Sequence, residues 1–249
     1  MKHVWQCALV GLSIIAFGGQ ARADLSDTLR SAMQAETRSE ADKARDANRR
    51  PIETLTFFGL KENMRVLELM PGGGWYSQLL APVLADKGQL YLAIGTQRIA
   101  GMLDTPAMKG AKVLETAGEF VRPEGSRRFQ IDGLRFPVSD LDMVLTFRNM
   151  HNLTEEGRRT MNAAVFASLK SGGVYGVVDH TRRHMQGESD ENWRRMDPVL
   201  MIKEVQAAGF ELVDFADLHY RADDELLYEV GRKSVTGNTD RFTLLFRKP

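Results

Sequence analysis

The sequence predicts an α/β fold in which a largely parallel sheet is covered by helices on both faces. Three observations carry this expectation. Short apolar, β-rich runs alternate with helical stretches from residue 65 to the end. The run Leu141–Phe147 has Asp142 as its only charge, as a strand buried on both faces requires. The first run ends in a glycine turn that opens a helix. Composition agrees: 249 residues, 43% hydrophobic, with 22 Gly and 8 Pro. It excludes a disordered chain, a collagen-like repeat and a polytopic membrane protein. The 33 basic residues equal the 33 acidic ones, so no positive excess exists to displace counterions, which argues against nucleic-acid binding by bulk electrostatics. The length suits one α/β domain, or one domain with decorations.

Residues 1–23 read as a secretion leader. Lys2 and His3 precede the apolar run Val4–Phe17, Gly18-Gly19-Gln20 breaks it, and Ala21-Arg22-Ala23 supplies a small-x-small cleavage pattern. A buried N-terminal helix is the alternative. Cleavage after Ala23 removes the only cysteine, Cys7, and leaves 31 basic against 33 acidic residues. A cysteine-free mature chain tolerates an oxidising compartment, and export to a bacterial periplasm without membrane insertion is expected. Residues 24–60 form a helical segment, and residues 61–249 the α/β domain.

Asp24–Arg50 lacks Gly and Pro and reads as helix with a thin apolar face at Leu25, Leu29 and Met33. Opposite charges recur at helical spacing in Arg38–Asp42, Asp42–Arg45 and Asp46–Arg50. They read as a solvated face; alternatively the helix folds over a cleft and presents Arg45, Asp46 and Arg49 to a ligand. After Pro51, Ile52–Leu60 is a second, short helix. Strand one is Arg65–Met70, followed by a helix over Trp75–Ala85, and strand two is Gln89–Ile94. A helix is expected within Gln97–Thr116 and a third strand at Phe129–Ile131. Leu141–Phe147 is strand four. Thr154 caps the next helix, with Glu155 and Glu156 in its first turn, where the helix dipole favours acids. Val174–Val178 is strand five, Pro198–Ala208 a helix, Phe210–Phe215 strand six and Arg241–Arg247 the last strand, with apolar residues alternating.

In such sheets the first strand–turn–helix meets an anionic, nucleotide-like ligand, because glycines admit close approach and free N–H groups attract negative charge. Val66-Leu-Glu68-Leu-Met70-Pro71-Gly72-Gly73-Gly74-Trp75-Tyr76 has this form. Together with Arg45-Asp46-Ala-Asn-Arg49-Arg50-Pro51, Thr146-Phe147-Arg148-Asn149-Met150-His151-Asn152, Val177-Val178-Asp179-His180 and Thr239-Asp240-Arg241-Phe242, it resembles the class I, Rossmann-like S-adenosylmethionine-dependent methyltransferases. Within these the chain resembles exported methyltransferases of unknown substrate. The resemblance implies a seven-stranded, mostly parallel sheet of order 3-2-1-4-5-7-6 with its last strand antiparallel. It also implies S-adenosylmethionine as cofactor, faced by Glu68, Pro71, Gly72, Gly73, Gly74 and Tyr76, with Asp132 near the adenine amine. Two features depart from the pattern. Met70 stands where the turn's first glycine is usual. The acid that generally follows strand two is replaced by Thr96 and Gln97, and a lost hydrogen bond to a charged partner costs about 1.5–3 kcal/mol.

Ligands of open α/β sheets bind beyond the carboxyl ends of the strands. Arg148, Asn149, His151 and Asn152 leave strand four there; Asp179 and His180 leave strand five, and His184 follows. Candidate catalytic residues are His151 or His180 as a base, if the acceptor loses a proton, with Arg148 and Asn149 beside them. Arg148 can hold an anionic group through two parallel hydrogen bonds. Asn152 and Asp179 also suit capping, and the histidines suit satisfied edge positions. A metal site from His151, His180, His184 and Asp179 has no diagnostic spacing, and none is expected. The expected function is methyl transfer to a small or modestly sized molecule. The alternatives are a non-catalytic binding protein on the same fold and a metal-dependent hydrolase or lyase.

Overall fold

The structure is a computed structural model that describes residues 17–249, so the expected leader lies largely outside the described residues. Four helices come first: α1 (Phe17–Gln34), α2 (Glu40–Lys43), α3 (Asp46–Arg49) and α4 (Pro51–Phe57). The single helix expected over Asp24–Arg50 is therefore broken, for local reasons. Ser39 caps α2 by accepting a hydrogen bond from the Asp42 amide. Arg50 takes a left-handed φ of 41° that ends α3, and Pro51 starts α4, where its missing N–H is not needed. The breaks also redistribute the charges. Arg38 reaches Asp46 through two hydrogen bonds of 2.9 and 2.6 Å instead of pairing with Asp42. Asp42 pairs with Arg45 as expected, and Arg50 turns to Glu53. Among the described residues no helix is long and apolar enough to cross a membrane.

From there strands and helices alternate: β1 (Arg65–Leu69), α5 (Ser77–Leu84), β2 (Gln89–Ala93), β3 (Lys112–Val113), β4 (Ala117–Val121), β5 (Gln130–Arg135), β6 (Leu141–Phe147), α6 (Glu155–Ser168), β7 (Leu169–His180), α7 (Pro198–Ala207), β8 (Glu211–Ala216) and β9 (Arg241–Arg247). Among the described residues, seven strands form one sheet of order β3-β2-β1-β6-β7-β9-β8. Its members pair in parallel except β9, which is antiparallel to both β7 and β8. This is the Rossmann-like methyltransferase fold, with the order expected once β4 and β5 are set aside.

Those two strands mark the main departure. Phe129–Ile131 does not supply the third strand of the sheet; Lys112–Val113 does, paired with Tyr91 and Leu92. Residues 117–135 instead fold back as a separate antiparallel hairpin, β4 on β5, packed beside α6. Pro123 and Gly125, with a φ of 72°, lie in its turn, and the main-chain bonds Phe129 N to Asn152 O and Thr154 N to Phe129 O hold its base. The helix expected within Gln97–Thr116 is reduced to two 3-10 turns, Thr96–Met102 and Pro106–Met108.

Residues alternate across β1, so Val66 faces one hydrophobic layer with Leu29, Leu55 and Leu80, while Leu67 and Leu69 face the other with Val144, Met161 and Val205. Helices α1, α4 and α5 cover the first face, and α6 and α7 the second. Residues 217–240, between β8 and β9, return over the carboxyl end of the sheet. They are anchored by a fully buried pair, Arg195 to Asp224 at 2.8 and 3.0 Å, whose carboxylate also accepts from the Asp240 amide at 2.7 Å.

Replacing Arg195 with Met leaves the Asp224 charge buried and unpaired. Urea unfolding is expected to show a loss of about 3–5 kcal/mol. A loss below about 1 kcal/mol, the range of an exposed pair, would show that this contact does not anchor the return segment.

Candidate functional site

The site lies at the carboxyl ends of β1, β6 and β7. Just past β1, Met70 holds a left-handed φ of 50° in the position where glycine is usual. The Asn149 amide steadies this turn by donating to the Leu69 and Met70 carbonyls at 3.1 and 3.2 Å. The following glycines divide their work. A Cβ added at Gly72 or Gly73 meets nothing within 4 Å, so both open onto free space. At Gly74, with φ at 76°, a Cβ would lie 2.6 Å from Met102 Sδ; this glycine serves packing.

Glu68 faces the same space from β1. It is buried, and Ser77 Oγ donates to its Oε2 at 2.6 Å. Burial pushes the carboxyl up to about 7, against the opposing pull of the Ser77 hydroxyl and the Arg49 charge. The Tyr76 ring stacks on Phe147 with centroids 3.5 Å apart, and Trp75 packs edge-on against Tyr76. These groups, with Met70, Pro71, Arg98, Asn149 and Arg148, enclose a cavity of about 270 Å3.

Helix α3 closes this cavity from above. The Arg49 guanidinium lies over the Trp75 ring at 4.4 Å, and Trp75 Nε1 donates to the Asp42 carbonyl at 2.9 Å. The Arg49 carbonyl accepts from Tyr76 Oη at 3.3 Å and His219 Nε2 at 3.0 Å. Burial, against the opposing pull of its bond to this carbonyl and with the nearby cations Arg241, Arg221 and Arg50 adding to it, drives the His219 imidazole down to about 4, so it is neutral at pH 7. Its Nδ1 then accepts from Thr243 Oγ1 at 2.7 Å.

A second cavity of about 300 Å3 adjoins the first. Arg45, Arg49 and Arg148 line both. The second is completed by His180 from β7, Arg241 from β9, Arg194, and the return segment through Val230, Thr236 and Thr239. Burial lowers His180 well below the usual imidazole range, helped by His151 and the surrounding arginines, so its ring is neutral. Thr239 Oγ1 lies 2.9 Å from its Nδ1, leaving Nε2 as the remaining ring nitrogen.

Most residues expected from sequence meet here. Glu68, Pro71, Gly72, Gly73, Tyr76, Arg148 and Asn149 line the first cavity, and His180 and Arg148 the second. Arg45 and Arg49 do fold over the cleft, whereas Asp46 is taken by Arg38. Gly74 lies behind the wall. His151 lines neither cavity: its Nδ1 is 2.6 Å from Asp179 Oδ1, and its ring centroid is 5.7 Å from that of His180. Asp132 sits exposed on β5, where Gln130 Nε2 donates to it at 3.0 Å, away from both cavities because the hairpin leaves the sheet. Beyond β2, Ile94 and Gly95 turn the chain with φ near 68° and 66°, and Arg98, not Thr96 or Gln97, reaches the cavity. His184 turns to Asp197 at 2.9 Å. Among the described residues no group of three or more His, Cys, Asp or Glu side chains is placed to hold a metal ion. Sequence reasoning missed the lining roles of Arg98, Arg194 and the Val230–Thr236 stretch, which no motif marks.

The fold has well-defined relatives among solved structures. A SAM dependent methyltransferase from Aquifex aeolicus aligns over 89% of this chain and 97% of its own, with 15% identity and a TM-score of 0.57. The [4+2]-cyclase SpnF aligns over 91% and 93%, with 16% identity and a TM-score of 0.58. The glycopeptide N-methyltransferase MtfA, complexed with sinefungin, aligns over 82% and 94%, with 15% identity and a TM-score of 0.51. At these identities the likeness is one of fold. No family model matches the chain, and comparison with curated proteins gives no match in sequence.

The raised carboxyl of Glu68 has a measurable consequence. The unfolded chain releases this proton near pH 4.5 and the folded one near 7, so folding stability falls as pH rises between them. The loss is on the order of 3 kcal/mol. Urea unfolding across this window is expected to show the decline in wild type and not in Glu68→Gln. Parallel profiles for the two proteins would place the Glu68 titration elsewhere.

Proposed function

We propose that the first cavity binds S-adenosylmethionine and that the chain transfers its methyl group to a small acceptor held in the adjoining cavity. The observation that carries the reading is a cradle: beside Glu68, Gly72 and Gly73 present bare backbone to free space in a cavity that shares three wall residues with a second one. A side chain at Gly72 or Gly73 would fill that space, as a cradle for a ligand's flat or branched body requires. The residues fit the methionine end of the cofactor, with Glu68 suited to its cationic groups. The ribose end has no acid after β2 and would rely on neutral donors or Arg98.

When bound, the cofactor supplies an electrophilic methyl carbon. The chain's own contribution is placement and exclusion of water, which account for most of the acceleration in such displacements. The Tyr76–Phe147 stack and Trp75 form an aromatic wall on one side of the first cavity. Asn149 fixes the turn that carries the glycines. His180, neutral with Nδ1 held by Thr239, can take a proton at Nε2 from an acceptor that must lose one. His151, held by Asp179, orients the strand end beside it and acts as a positioning residue. Export to a bacterial periplasm belongs to the same proposal, on the leader pattern of residues 1–23.

A second reading, a non-catalytic binding protein on this fold, is favoured by the absent acid after β2. The likeness to a cyclase supports the point that the fold alone does not dictate methyl transfer.

Calorimetry on the mature chain with S-adenosylmethionine and with its demethylated product is expected to give one site, and Gly73→Val to weaken it by at least about tenfold without changing the unfolding midpoint. Absence of heat at high micromolar ligand would favour the second reading. Amino-terminal sequencing of the protein from a bacterial envelope fraction is expected to begin at Asp24; a start at Met1 would remove the export proposal.

A further inference from the structure

Among the described residues the buried arginines outside the cleft follow one rule. Arg38 meets Asp46, Arg158 meets Glu204 at 2.6 and 2.7 Å, and Arg195 meets Asp224, each through two hydrogen bonds to one carboxylate. Such pairing is what makes a buried guanidinium tolerable. The cleft breaks the rule. Among the described residues Arg49, Arg148 and Arg241 form no ion pair, although Arg49 and Arg241 are each only 5% exposed. Arg241 donates to the main-chain oxygens of Asn48 and Gly237, at 3.1 and 3.5 Å, and its buried Nε, like that of Arg38, has no partner, but unlike Arg38 it has no carboxylate at its other nitrogens.

The surroundings add to the imbalance. Among the described residues five arginines line the second cavity, Arg45, Arg49, Arg148, Arg194 and Arg241, and no carboxylate does. Two have partners outside it: Arg45 pairs with Asp42 and Arg194 with Glu229. The other three repel one another, against a weaker pull of the buried Asp179 carboxylate on Arg148 and of Asp240 on Arg241. Burial together with Arg148, Arg45 and Arg241 pushes the Arg49 guanidinium down to about 8, and burial with Arg148 and Arg221 lowers Arg241 to about 10. Like charges gathered in a partly dry space cost stability, and an anion in that space removes the cost. The threonine hydroxyls of Thr236 and Thr239 add further donors, so the walls call for a ligand rich in acceptors.

Resting on the reading of the first cavity as the cofactor site, we propose that the acceptor is an anionic small molecule whose carboxylate or phosphate group is gripped by Arg148 and Arg241, with Arg49 at the boundary between the two cavities. Carboxylate and phosphate share the chemistry that a planar fork of N–H donors recognises. Val230 supplies an apolar patch for the remainder of the molecule.

The test uses inorganic phosphate and acetate as separate probes, titrated into the mature protein with and without the saturating demethylated cofactor product. At least one probe is expected to bind whether or not that product is present. Arg241→Leu, whose side chain lines the second cavity and not the first, is expected to weaken the oxyanion by at least about tenfold while product affinity stays within about twofold. Retained product binding reports that the variant is folded, and Arg241→Lys is expected to fall between it and wild type. Product binding with neither probe binding would overturn the inference and leave the cofactor reading standing. Competition between probe and product for a single site would assign the arginines to the cofactor's own carboxylate and would equally overturn it. Oxyanion binding with no product binding would remove the cofactor reading, and with it the assignment of the anion as methyl acceptor.

Discussion

The carbonyl oxygen of Arg49 is the point on which the cleft depends. The Thr54 hydroxyl of α4, which donates to the Arg50 carbonyl at 2.8 Å, lies 3.1 Å from it, and two groups donate to it: Tyr76 from the glycine turn at 3.3 Å and His219 from the return segment at 3.0 Å. The last of these needs a neutral imidazole with its proton on Nε2, which burial and the Thr243 hydroxyl provide. A main-chain oxygen has two lone pairs, so these two donors fill it and fix its direction. Through this atom, parts of the chain some 170 residues apart in sequence meet at one place. The Arg49 side chain is thereby held over Trp75, between the two cavities.

Holding it there is unfavourable in itself. The cleft gathers three guanidinium groups that form no ion pair, whereas among the described residues the other buried arginines are each matched to a carboxylate through two hydrogen bonds. Buried, unmatched charge is an expensive way to fold and an effective way to wait for a ligand of opposite sign. The rest of the architecture supports it: two apolar layers on the faces of the sheet, the Arg195–Asp224 pair under the return segment, and the Arg38–Asp46 pair under the short helices. Glu68 belongs to the same pattern, a carboxyl kept dry at the end of β1 with one hydroxyl donor.

Sequence made much of this legible. Strand positions followed from short apolar runs, and the run Leu141–Phe147 is β6 residue for residue. Thr154 caps α6 by accepting from the Gly157 amide, as its place before two glutamates implied. The turn at Gly72-Gly73 and the polar ends of β6 and β7 lie at the cleft, because a parallel sheet places every carboxyl end on one edge. Less legible was the stretch from residue 97 to 135. Its apolar content fits a strand of the sheet or a strand of a hairpin equally well, and only the competition for the edge of β2 decides between them. Asp132 was misplaced with it.

What the sequence determined by itself is therefore local and periodic: strand and helix order, the glycine turn, the cap, and the edge of the sheet where chemistry belongs. What only the tertiary structure decided is which distant groups share a space. Nothing in the spacing of Arg49, Arg148, Arg194 and Arg241 marks them as neighbours, or shows that Arg38 would be matched by Asp46 while Arg49 would be left without an acid. Charge compensation depends on distance and burial in three dimensions, and neither is written in the order of residues until the short helices and the return segment have closed over the sheet.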